Sequence, residues 1–316
     1  MLRLNLLAAA SLLLCQCSIV NKSPAHLDAA TFAAPDGKTM PFTRWPADDE
    51  KPAKPRAIVI CVHGLSGAAS DFWPAGETLS KKGIVVYGTQ LRGMGNDPAK
   101  HERGDIKSVS RWTNDLVNFT KLIRQKHPGV PTFWYGESLG SLIVLQTLHE
   151  ESDQAKLVDG VVLSSPVIAF RNDLPWWKYL FIRGLVLVHP GKRISLESLG
   201  DGEVKVTAKT THKEQMEKTP HYVEFFTLRL FRAVDKMVRN SDRAAASVQV
   251  PTLVFYTPND VFTSKEQVEH FYDQIPAKEK EKAFYPNSYH LLLHDTDRQA
   301  VLQELDQWLE KRISRG

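Results

Sequence analysis

A serine between two glycines, an aspartate and a histidine are the residues of this chain whose types and order could do nucleophilic chemistry. The serine sits in Phe133-Trp134-Tyr135-Gly136-Glu137-Ser138-Leu139-Gly140, a short apolar run ending in Gly-x-Ser-x-Gly. The helix-like run Ser141-Leu142-Ile143-Val144-Leu145 follows. A strand, a very tight turn and a helix would lift the Ser138 hydroxyl above the end of a sheet. A Cβ at position 136 or 140 would crowd that turn or hold the helix off the strand. The helix N-terminus favours negative charge developing beside it. A serine hydroxyl is a poor nucleophile at neutral pH. It needs a base to take its proton, and the base needs an acid to orient it and steady its cationic form. Asp260 and His290 follow Ser138 in the order serine, acid, histidine.

Competing assignments exist for each partner. His294 lies four residues beyond His290 and is the alternative base, but the residue just after the last strand is better placed. His290-x-x-x-His294 could hold a metal, yet no third ligand suggests itself, and the reading implies neither metal nor cofactor. Asp242 and Asp295 are read as surface carboxylates, and Asp260 could be a mere turn residue. Glu137 beside the nucleophile is expected to point away from the substrate and to make a structural hydrogen bond. His63 is likewise read as structural. An oxyanion would need amide donors. The expected pair is the backbone N–H of Leu139, the residue after the nucleophile, and that of Leu65, in the loop after the first buried strand.

These side chains must be carried by a sheet. Ala57-Ile58-Val59-Ile60-Cys61-Val62 is a continuous apolar run, as for a strand buried on both faces. Further strands are expected at residues 83–89, 132–135, 160–164, 250–260 (ending in the acid) and 282–285, with helices at 71–82, 109–124, 264–275 and 298–312 between and after them. Ahead of them, residues 23–30 read as a polar linker, and Asp36-Gly37 as a hairpin turn returning along 40–45. The alternation of strand and helix predicts an α/β protein, a mainly parallel sheet with helices on both faces and its chemistry at the carboxyl ends of the strands. The alternation breaks at 166–248, where no convincing strand is seen and 214–243 reads as helical. That segment is taken as a mostly helical cap inserted between core segments 31–165 and 249–316.

The 316-residue chain carries a net charge of +4 and no dense lysine–arginine block, which gives nucleic-acid binding little support. Residues 4–14 are almost all apolar and too short for a standard membrane-spanning helix, so 1–22 reads as an export leader. Cys15-Gln16-Cys17-Ser18 then resembles the lipid-attachment box of bacterial lipoproteins, with Gln16 departing from the small residue usual there. Cys17 is the expected lipidation site, and the expected location is the periplasm or the membrane of a bacterium. A cleaved leader without an anchor is the alternative. Cys61 is expected to be a buried free thiol.

Val62-His63-Gly64, Arg92-Gly93-Met94-Gly95, residues 136–140, Asn259-Asp260 and Tyr289-His290 together resemble the monoacylglycerol lipase and lysophospholipase branch of the α/β-hydrolases. That branch also includes serine aminopeptidase-like members. The resemblance spans roughly residues 31–309 and is weakest in the cap. It implies the α/β-hydrolase fold, with nucleophile, acid, base and oxyanion donors at Ser138, Asp260, His290, Leu65 and Leu139. Met94, where many members have histidine, and Leu65-Ser66 after the His-Gly pair are departures that bear on substrate more than mechanism. The implied activity is hydrolysis of a small-molecule or lipid ester, with monoacylglycerols or lysophospholipids favoured. An aminopeptidase, a short-chain esterase and a non-catalytic binding protein are the rivals. The aromatic and cationic stretch 176–188 could shelter an acyl chain or meet a bilayer surface, or it could simply pack on the core.

Overall fold

The computed structural model describes residues 23–46, 54–169, 184, 186–195, 204–219 and 221–314. The leader with Cys17, and the stretch 176–188 apart from residues 184 and 186–188, lie outside the described residues.

The first strands form an antiparallel meander. β1 (His26–Leu27) pairs with β2 (Thr31–Ala33), and β2 with β3 (Thr39–Trp45). β1 falls where a linker was expected, because a two-residue strand carries no periodicity to read. β4 (Ala57–Val62) explains its own composition. Ile58, Ile60 and Val62 enter one core, while Ala57, Val59 and Cys61 enter the other, on the opposite face of the sheet. A strand covered on both faces has no polar side to alternate with. Each large aliphatic side chain buried there stabilises the fold by roughly 1.5–3 kcal/mol. Cys61 is a buried free thiol, and burial pushes its pKa up.

Helix α1 (Trp73–Ser80) leads to β5 (Ile84–Thr89), and α2 (Val109–Lys126) to β6 (Thr132–Glu137). Helix α3 (Leu139–Glu150) then leads to β7 (Gly160–Ser164). Beyond β7 the chain leaves the sheet. The described part of this insertion contains β8 (Arg193–Ser195), α4 (His212–Lys218), β9 (Phe225–Thr227), α5 (Leu228–Arg239) and α6 (Ser241–Ala245). This corrects the expectation of a strandless segment with one helical run: β8 and β9 pair antiparallel across 29 intervening residues, too far apart for a hairpin signal. Thr227 starts α5 by accepting a hydrogen bond from the Leu230 N–H at 3.2 Å.

The core resumes with β10 (Thr252–Tyr256), α7 (Lys265–Gln274), β11 (Lys280–Phe284) and α8 (Arg298–Ile313). The sheet order among the described residues is β1-β2-β3-β5-β4-β6-β7-β10-β11, and every pairing from β5 to β11 is parallel. Helices α2, α3 and α7 cover the Ile58 face, and α1 and α8 the Ala57 face. β6 lies between β4 and β7 among the parallel strands, so the turn after it opens on the middle of their carboxyl edge. The insertion is fastened over that edge. Arg193 Nη1 donates to the Arg103 carbonyl at 2.6 Å, the Ala208 N–H donates to Asp295 at 2.9 Å, the Leu291 N–H donates to the Val206 carbonyl at 3.0 Å, and Arg229 pairs with Asp105.

Candidate active site

Ser138 occupies the turn between β6 and α3 at φ 55° and ψ −118°, a conformation that costs a non-glycine residue energy. Its N–H donates to the Ser164 carbonyl at 2.9 Å, which ties the turn to the end of β7. The flanking glycines are needed where the Gly-x-Ser-x-Gly pattern places them. A Cβ on Gly140 would collide with the Val62 carbonyl, and one on Gly136 would lie 2.8 Å from the backbone of Gly140 and Ser141. The helix therefore packs directly onto strand backbone, and the serine is held up at its N-terminus.

Asp260 follows β10 and His290 follows β11, two and three strands along from β6. Their loops reach back together. The Asn259 side chain donates to the Pro286 carbonyl at 2.9 Å and to the Ser288 carbonyl at 3.2 Å, and Thr257 Oγ1 donates to the Ser288 carbonyl. Asp295 accepts from the Tyr289 N–H at 2.7 Å, and Asp297 accepts from the Asn287 N–H at 3.0 Å. Asp295 is thus a buttress of the histidine loop and of the cap rather than the plain surface carboxylate expected. Asp242 is exposed, as expected.

The loops place His290 Nε2 2.8 Å from Ser138 Oγ and His290 Nδ1 2.8 Å from Asp260 Oδ2. The other oxygen of Asp260, Oδ1, accepts from the Phe262 N–H at 2.8 Å and the Thr263 N–H at 3.4 Å. An acceptor-only carboxylate at Nδ1 puts the neutral ring's proton there and leaves Nε2 free to accept from the serine hydroxyl. All three side chains are buried. Burial alone would lower the His290 pKa, but the charge and hydrogen bond of Asp260, helped by the charge of Glu137, raise it instead.

The remaining candidates separate clearly. His294 Nε2 donates to the Asp71 carbonyl at 2.8 Å and burial lowers its pKa, so it is engaged away from the serine. His63 is structural. Its Nδ1–H donates to the Gly64 carbonyl at 2.8 Å, and its Nε2 accepts from the Leu91 N–H at 3.1 Å. Burial brings its pKa down to about 4, which keeps it neutral. No group of metal-holding side chains occurs among the described residues. Arg92 of the Arg-Gly-Met-Gly loop is buried against Asp36 and Asp115, and Met94 is fully buried. That loop braces the fold.

Glu137 does not show the structural hydrogen bond expected of it: the residue is among those lining the cavity above Ser138, and its Oε2 is buried without a hydrogen-bond partner among the described residues. Burial raises its pKa to about 7, against a lowering pull from His290 and a further push from Asp71. The cavity, of about 370 Å³, is of ligand-binding size and is roofed from the cap by Val206, His212, Gln215, Thr219, His221 and Tyr222. On the core side, Leu65, Phe262 and Leu291 give it apolar surface, and Asp71 and His294 polar surface. Sequence reasoning missed the cap residues and Asp71, because no local spacing links them to Ser138. His221 Nε2 sits 3.3 Å from Asp71 Oδ1, off the line of a good hydrogen bond, and joins cap to core across the cavity.

A family model described as serine aminopeptidase, S33 (Hydrolase_4) matches residues 53–297. The chain is 20% identical over 283 residues to a monoacylglycerol lipase of Mycolicibacterium smegmatis, covering 90% of this chain and 97% of that protein. It is 21% identical over 269 residues to the monoglyceride lipase of Homo sapiens, covering 82% and 84% respectively. Its fold matches a soluble variant of the Saccharomyces cerevisiae monoglyceride lipase, solved with a substrate analogue, at a TM-score of 0.75. That match has 20% identity and covers 93% of this chain and 97% of the other.

Proposed function

The chain belongs to the serine aminopeptidase S33 (Hydrolase_4) family of α/β-hydrolases and is a serine ester hydrolase. From that premise we propose that it cleaves monoacylglycerol-type carboxylic esters through an acyl-enzyme on Ser138. The observation that carries the reading is the unbroken hydrogen-bonded chain Asp260–His290–Ser138 at the floor of a cavity beneath the cap. His290 Nε2 takes the Ser138 proton as Oγ attacks the ester carbonyl, and Asp260 steadies the imidazolium. The oxyanion is held by two backbone N–H groups. That of Leu139 is among the first amides of α3, which have no partner within the helix. That of Leu65 lies in the Gly64–Gly67 turn, where a Cβ on Gly64 would come within 3.0 Å of Ser138 Cβ. His290 then gives its proton to the departing alcohol, and water releases the acid by the reverse route.

The substrate half of the proposal rests on the lining. Its described residues include Asp71 and Glu137 but no lysine or arginine, so a phosphate would meet acid rather than a cation. Monoacylglycerol therefore stands ahead of lysophospholipid. The same two carboxyls are what a free amine would seek, and they favour the aminopeptidase-like alternative. A hydrolysis profile tests the choice. We expect kcat/KM on glycerol monoesters to rise as the acyl chain lengthens from two carbons, with lysophosphatidylcholine and alanine p-nitroanilide turned over poorly. A maximum on acetate esters would replace the lipid reading by a short-chain esterase, and preference for the anilide would replace it by a peptidase.

We further propose that the protein acts at a membrane surface, exported and anchored at Cys17. In the described part of the cap, Leu187 and Val188 are each 71% exposed. Apolar residues standing into water on the cap suit a bilayer interface. Cys17→Ser is expected to move the protein from the membrane to the soluble fraction, and unchanged fractionation would remove the anchor.

A further inference from the structure

The carboxyl of Glu137 has no structural task that the described residues reveal. Glu137 as a residue is 5% exposed and is among those lining the cavity, one position from the nucleophile, and its Oε2 has no hydrogen-bond partner among the described residues. A buried acceptor left unpaired is costly, so one that persists calls for a partner. Its neighbours do not. Asp71 is taken up by the Ala68 N–H at 2.8 Å and by His221. His290 is taken up by Asp260 and Ser138. Tyr135 and Cys61, the titratable groups beneath it that feel its charge, are fully buried, and Tyr135 Oη makes no hydrogen bond to it among the described residues. The side left for a partner is the cavity that Glu137 helps to line.

Which group follows from the reaction. The alcohol half of the ester must sit where its oxygen can receive the proton from His290 Nε2. Glu137 is within electrostatic reach of His290, so it faces the alcohol rather than the far end of an acyl chain. We propose that the Glu137 carboxyl accepts a hydrogen bond from a free hydroxyl on the alcohol half of the substrate and so selects polyol monoesters over esters of simple alcohols. This deepens the esterase reading and rests on it. The carboxylate is the stronger acceptor, and burial has placed its titration at about 7, so the selection strengthens as pH rises through neutrality.

The test is a ratio, because a ratio cancels general damage to the site. kcat/KM is measured on glycerol monobutyrate and on n-propyl butyrate, which has the same three-carbon alcohol without the two free hydroxyls. Wild type is expected to prefer the glycerol ester. In Glu137→Leu the preference ratio should fall about tenfold, and in Glu137→Gln, which keeps an acceptor, by less. Glu137→Leu also removes a buried unpaired carboxyl, so its Tm should not fall. An unchanged ratio in Glu137→Leu overturns the proposal, whether both activities drop together or neither does. Alanine p-nitroanilide turnover that is present in wild type and lost in Glu137→Leu would assign the carboxyl to an ammonium group and overturn it too. Absence of hydrolysis of either ester by wild type would sink the esterase reading itself, a result distinct from the others.

Discussion

Ser138→Ala is expected to lower kcat on glycerol monobutyrate by at least about 10⁴-fold while leaving the fold intact. The size follows from what the hydroxyl does. Without Oγ no acyl-enzyme forms, and what survives is the help that the oxyanion amides and the cavity give to a water molecule. The fold should tolerate the change because Ser138 contributes little packing of its own. The strained turn is held by its backbone N–H on Ser164 and by the contact of Gly140 with β4, neither of which needs the hydroxyl. Alanine tolerates φ 55° no worse than serine does, so Tm should stay within a few degrees. Circular dichroism and a thermal melt beside the kinetics separate lost chemistry from lost structure. Activity within tenfold of wild type would mean that another residue is the nucleophile.

Asp260→Asn is expected to cost about 10³- to 10⁴-fold in kcat/KM, nearly as much as losing the serine, although it changes one atom. The structure dictates which way the new amide faces. The Phe262 N–H donates to Oδ1 at 2.8 Å and can be satisfied only by an oxygen. The amide NH₂ must then occupy the Oδ2 position and point at His290 Nδ1, 2.8 Å away. Nδ1 becomes the acceptor, the ring proton moves to Nε2, and the base loses the lone pair that should receive the Ser138 proton. The pH profile adds a second signature. Neutral His290 is the active form, so wild-type kcat/KM falls as pH drops through a His290 pKa that Asp260 holds above its ordinary value against burial. Removing the carboxylate charge leaves burial dominant, and the residual activity of Asp260→Asn should keep its plateau to lower pH. An acid limb in the same place for both proteins would show that Asp260 does not set the charge of the base.

Much of this site could be read from the chain because short-range rules govern it. Ser138 is announced by its own turn: two glycines that cannot carry a Cβ, an apolar strand before them and a helix after. Asp260 and His290 each close a predicted strand, and in a parallel sheet strand ends converge on one edge. β4 reads correctly for a similar reason, since burial on both faces leaves a continuous apolar run. The cap is different. β8 and β9 are three residues each and 30 positions apart, and their pairing reflects tertiary packing rather than local propensity. His221 and Asp71 meet across 150 residues of sequence. Asp295 looked like a surface acid, yet it buttresses Tyr289 and the cap residue Ala208. Glu137 shows a further limit. Its neighbourhood was legible but its burial without a hydrogen-bond partner at Oε2 was not, because the burial of one carboxyl depends on cap and core residues that no local pattern brings together.

The central claim is that Ser138 is a nucleophile activated by His290, and a fluorophosphonate tests it whatever the natural substrate is. Wild-type protein is treated with the reagent, digested, and the modified peptide identified by mass spectrometry. A single phosphonyl adduct on Ser138 is expected, forming in step with loss of ester hydrolysis, absent in Ser138→Ala and slowed at least about a hundredfold in His290→Ala. An adduct on any other residue that accompanies inactivation, or full hydrolysis by protein that carries no adduct after exhaustive treatment, would contradict it.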